Sequence, residues 1–140
     1  MTDALGMTRR PVSTDFAPYY ADYVARVPAG DLIAILEEQF EGTAALLSSE
    51  VALDGADYRY APEKWSLKQV VCHLCDVERV LSYRLLRFAR ADATPLAGFE
   101  ENEYAIASEA DARTLPDLVS ELRTVRAATL ALLRGLPFVA

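Results

Sequence analysis

Between Leu67 and Phe88 the apolar residues Leu67, Val70, Val71, Leu74, Val77, Leu81, Leu85 and Phe88 recur every three or four positions. A run of that length at that period fits only an amphipathic helix, and its single apolar stripe must be covered by neighbouring elements. Ser66 sets the start, because its hydroxyl and the side chain of Gln69 three positions on form a capping box after the turn sequence "APEKWS". The helix is expected over residues 66–90.

Two further segments share this character. Residues 31–49 read as a helix capped by Asp31 after Pro28 and Gly30, with Leu32, Leu36, Phe40, Leu46 and Leu47 on one face and Gln39 and Thr43 within it. Residues 115–134 follow the cap Thr114, with Pro116 tolerated in the first turn and Gly135 at the end. Leu118, Leu122, Val125, Thr129, Leu132 and Leu133 are expected to face inward. Residues 1–30 read as an irregular N-terminal arm whose Phe16, Tyr19, Tyr20 and Tyr23 pack along the helices, and residues 91–113 as a partly helical or crossing connection. Helices with one stripe each bury it against one another, so the fold class is all-α: one domain over residues 1–140, an antiparallel up-down helical bundle.

Charge and composition narrow the function classes. A net charge of −7 opposes nucleic-acid binding, which depends on cations displacing counterions from phosphates. No apolar stretch is long enough to span a bilayer, and the first residues lack the apolar core of a secretory signal, so a cytoplasmic location with reduced thiols is expected. Arg79, Arg84, Arg87 and Arg90 could form a stripe for phosphates or carboxylates, but without excess positive charge they read as a solvated helix face.

The stretch "KWSLKQVVCHLCDVERV", residues 64–80, holds the single histidine, His73, and both cysteines, Cys72 and Cys75. With Leu67 at zero on a helical wheel, the stripe centres near about 330°, His73 lies at its edge near about 240°, Asp76 faces solvent near about 180°, and Glu78 falls inside the stripe near about 20°. A carboxylate there needs neutralisation or a cation, and Arg126 on the third helix is the candidate partner. A structural ion pair outranks a general base as its role. Cys72 lies too far inside the helix for the lowered thiolate pKa that C-x-x-C redox chemistry uses, and two cysteines with one histidine do not complete a tetrahedral zinc site. The thiols read as small packing residues on a helix seam, and His73 by itself as a hydrogen-bonded structural residue.

From about Pro11 to Leu136 the sequence resembles the DinB superfamily, the damage-inducible, YfiT-like group of helical proteins. The resemblance rests on Trp65 and Ser66 opening the second helix and on His-Leu-x-Asp-x-Glu-Arg, here His73, Leu74, Asp76, Glu78 and Arg79, with "PYYADYV", "VPAGDL", "ARADATPL" and "LRTVRAATLALL" around them. It implies a four-helix bundle, here truncated after the third long helix, and often a homodimer. It also implies a metal site for nickel, zinc or manganese with His73 as first ligand, and transfer of low-molecular-weight thiols or hydrolysis in response to stress or damage. The other two histidine ligands of such a site belong to a fourth helix that this sequence does not contain. Two functions are therefore expected to compete. One is a divalent-metal-dependent thiol transferase or hydrolase. The other is a non-catalytic protein that binds a small-molecule ligand or a protein partner in the groove left open, with no nucleic acid and no membrane involved.

Overall fold

The computed structural model describes residues 10–136, and among them every regular element is helical. The longest, α4 (Leu67–Ala89), starts where the sequence places it. The Ser66 hydroxyl accepts from the Gln69 amide at 3.1 Å, and the Gln69 side-chain oxygen accepts from the Ser66 amide at 3.1 Å. The same hydroxyl donates to Asp111 at 2.5 Å, and Asp111 also pairs with Arg59. Ser66 is thus fully buried in a satisfied polar knot that joins the start of α4 to the chain before α6.

Helix α6 (Leu115–Arg134) is capped by Thr114, whose side chain accepts from the Asp117 amide at 3.3 Å, and α2 (Leu32–Leu47) by Asp31, which accepts from Ala34 at 2.8 Å. Both α4 and α2 pack chiefly on α6, whose Leu115, Leu118 and Leu122 form the centre of the core with Phe40, Val71 and Cys75. A smaller cluster of Ile33, Leu130 and Leu133 closes the other end. All three long helices were legible from their caps and periods, and the architecture is the expected helical bundle.

The side of α4 that is buried differs from the expectation. Val71, Cys72 and Cys75 are 1%, 6% and 0% exposed, which centres the buried face near about 80° on the wheel instead of 330°. The cause is what covers it. Besides α6, a short helix α5 (Glu101–Ala107) and a 3-10 turn (Ala110–Ala112) pack on that side, bringing in the buried Ala105 and Ala110. Thiols and alanines allow this close approach, so the seam reading of the cysteines holds. Leu74 and Leu81, near the stripe's centre, remain 41% and 55% exposed.

Three other expectations change. Leu46 is 69% exposed, and Ala44 and Ile33 are buried in its stead. In α6, Leu115, Val119 and Leu130 join the buried set, whereas Leu132 is only half-buried. The described part of the arm is only partly irregular: Pro18–Tyr20 is a 3-10 turn leading into α1 (Ala21–Arg26), while residues 10–17 and 27–30 form no regular element. Its Tyr19, Tyr20 and Tyr23 remain exposed and stack on each other at 5.1 to 6.4 Å, not along the long helices. The arm's residues 1–9 lie outside the described residues. The connection 91–113 is partly helical, as expected. It leaves α4 through Ala91 in the left-handed region at φ 52°, and a further short helix, α3 (Glu50–Asp54), follows α2.

Replacing Ser66 by Ala removes both a helix cap and the partner of Asp111, so Ser66→Ala should lower unfolding free energy by roughly 2 kcal/mol. Urea titration reads it, and a loss below about 0.5 kcal/mol would contradict the polar knot's role.

Candidate functional site

Arg126 is the most connected side chain of the interior. Its Nε and Nη2 donate to the two carboxylate oxygens of Glu78 at 2.8 and 3.0 Å, a bidentate pair with 16% and 13% side-chain exposure. Its Nη1 donates to the Leu36 carbonyl at 2.8 Å and reaches Gln39 at 3.4 Å. One guanidinium therefore links α4, α6 and α2. The carboxylate inside the apolar stripe has the partner that its burial demands.

This pair lies on the floor of a cleft of about 390 Å³. α2 supplies Leu36 and Phe40 to its walls and α4 supplies Leu74, Val77, Leu81 and Leu85. The exposed part of the α4 stripe is thus one wall of a groove. Its polar points are few. The Ser82 and Thr129 hydroxyls lie 2.8 Å apart, and Thr129 donates onward to the Val125 carbonyl at 3.2 Å, so Ser82 donates to Thr129. Gln39 and Thr43 face the groove from α2. The Thr43 hydroxyl is occupied by the Gln39 carbonyl at 2.9 Å.

His73 sits outside this cleft, half-buried, with its ring 4.7 Å from that of Trp65. Asp76, expected in solvent, is half-buried beside Arg79, and burial raises its pKa against the opposing pull of Arg79. Among the described residues no three His, Cys, Asp or Glu side chains converge to hold a metal ion. Burial also pushes the Cys72 thiol up and Cys75 up to about 12, so neither is a ready thiolate.

Arg90 is exposed, as a solvated face requires, but Arg79, Arg84 and Arg87 are engaged. Arg79 donates to Glu121 at 2.6 Å, and Arg113 also donates to Glu121. Burial raises the Glu121 pKa, but these two hydrogen bonds outweigh it and leave the carboxyl below its ordinary range. Arg84 and Arg87 hold the connection after α4 through the carbonyls of Ala97 at 3.0 Å and Thr94 at 2.6 Å. What sequence reasoning missed was the tie from Arg126 to α2, because a backbone acceptor leaves no side-chain signal.

The bundle, the His73-to-Arg79 stretch and the half-buried Glu78 are accompanied by a direct match. A sequence model of the DinB superfamily covers residues 35–140, and the chain belongs to that superfamily. No curated protein and no solved structure matches it. No described helix is long and apolar enough to cross a membrane.

Removing one member of the ion pair strands the other without its partner. Glu78→Leu and Arg126→Met should each cost roughly 3 kcal/mol, whereas the double variant should return to within about 1 kcal/mol of the wild type. Denaturant titration of the four proteins checks this, and additive losses would contradict a coupled pair.

Proposed function

We propose that this DinB-superfamily protein is a binding protein whose cleft between α2, α4 and α6 takes a small, mostly apolar ligand with a neutral polar head. The observation that carries the reading is the composition of the cleft. Its walls are mostly apolar, and the only two charges among the described residues that line it, Glu78 and Arg126, neutralise each other in a bidentate pair. A volume of about 390 Å³ falls within the range of ligand pockets, roughly 300 to 1,000 Å³. Transfer of apolar surface drives the binding, and the Gln39 amide and the Ser82 hydroxyl, which retains acceptor capacity, orient the head. An ionised ligand gains little here, because Arg126 is already committed to Glu78 and would have to break that pair.

A series of straight-chain alcohols tests the reading by calorimetry and thermal shift. Affinity should rise severalfold with each added methylene, by about 0.8 kcal/mol, up to the length that fills the cleft. Octanoate should bind at least several times more weakly than 1-octanol, and Leu81→Glu should abolish binding of the alcohols. Equal affinity for alcohol and carboxylate, or no saturable binding, would overturn it.

A second reading follows from superfamily membership: a divalent-metal-dependent thiol transferase or hydrolase with His73 as a ligand. The described side chains of one chain do not supply the donor set, so this reading requires a homodimer that brings further donors. What favours it is the exposed apolar residues on α4 beside His73, Val70 at 39% and Leu74 at 41%. Protein purified without a histidine tag or chelator should then be a dimer by light scattering and carry a divalent metal that His73→Ala loses. A metal retained by His73→Ala, or a metal-free monomer, would overturn this second reading.

A further inference from the structure

A separate cavity of about 300 Å³ lies on the other side of α4, between that helix and the connection to α5. Its lining differs in kind from the cleft. The rings of Tyr83, Phe99 and Tyr104 surround it together with the guanidinium-bearing Arg79 and Arg84, and among the described residues no Asp or Glu lines it. In a chain of net charge −7, the described lining of this cavity carries two arginines and no carboxylate.

The two arginines are not equivalent. Arg79 is committed to Glu121 at 2.6 Å, with Asp76 at 3.8 Å. Among the described residues Arg84 has no carboxylate within ion-pair distance, and its one hydrogen bond goes from Nη2 to the Ala97 carbonyl at 3.0 Å. A guanidinium carries five N–H donors, so most of those on Arg84 remain available to a ligand. That single contact also helps fix the cavity, because Arg84 and Arg87 together hold the connection at Ala97 and Thr94. Phe99 and Tyr104 are already in ring contact at 5.1 Å, inclined at 51°, and so offer a formed aromatic wall.

We infer that this cavity is a second binding site, for a single-ring aromatic carboxylate. The ring packs against Phe99, Tyr104 and Tyr83, and the carboxylate takes the fork of Arg84 N–H groups in the planar geometry that guanidinium and carboxylate share. A cavity of about 300 Å³ is at the small end of ligand sites, which favours one ring over a nucleotide or a peptide. The site does not depend on the cleft reading: it lies on a different face of α4 and shares no lining residue with it.

Calorimetric titration with benzoate and, as its uncharged counterpart, benzamide tests the inference on the full chain. Benzoate should bind saturably, with benzamide at least tenfold weaker. Arg84→Gln should weaken benzoate at least tenfold, and Tyr104→Ala severalfold, with circular dichroism confirming that both variants fold. Should Arg84→Gln fail to fold, Arg84→Lys keeps the charge, removes the fork, and should still weaken benzoate severalfold. Saturating 1-octanol should leave benzoate binding unchanged, which separates this site from the cleft. Absence of saturable benzoate binding, equal binding of benzamide, an unaffected folded Arg84 variant, or displacement by 1-octanol would each overturn it.

Discussion

The guanidinium of Arg126 is the contact on which the arrangement of the three long helices turns. Its two bonds to Glu78 fix how far α4 is slid along α6, and its bond to the Leu36 carbonyl adds α2 to the same point. A buried charge that is stranded without its partner is costly, so register shifts that separate these groups are disfavoured far more than shifts that merely rearrange leucines. The cleft follows from this geometry. With α2 and α4 both held on α6, their apolar flanks stand apart across a floor made by the ion pair.

Helix α4 carries three functions on three sides. Val71, Cys72 and Cys75 form the packed side, where small side chains let α6, α5 and the 110–112 turn approach closely. Leu74, Val77 and Leu81 wall the cleft. Val80, Tyr83 and Arg84 face the connection to α5 and the cationic aromatic cavity. The conspicuous chemistry of this helix is therefore divided: the thiols serve packing, the carboxylate at Glu78 serves register, Arg79 ties to Glu121 on α6, and Arg84 and Arg87 hold the connection.

What could be read from the sequence was what depends on near neighbours. Asp31, Ser66 and Thr114 each cap through a backbone amide three residues on, so the helix starts were fixed by local chemistry. The Glu78 to Arg126 pair was legible because periodicity placed a carboxylate within an apolar stripe and a cation at the flank of the facing one. The buried side of α4 was not legible, since it depends on where α5 and the following turn pack, and their residues carry only a short, mixed pattern. The stacking of Tyr19, Tyr20 and Tyr23 on one another was hidden for the same reason, because an aromatic run does not say whether it packs on the bundle or on itself. The metal reading of His73 came from resemblance alone, and its neighbours in space are Trp65 and Asp76.

The most direct test of the central claim, a preformed apolar cleft organised around Arg126, is a methyl-resolved NMR titration of leucine- and valine-labelled protein with 1-octanol. The account predicts saturable shifts at Leu36, Leu74, Val77, Leu81 and Leu85, with the core methyls of Leu118 and Val71 unmoved. Shifts spread evenly through the core, or none at the cleft, would contradict it.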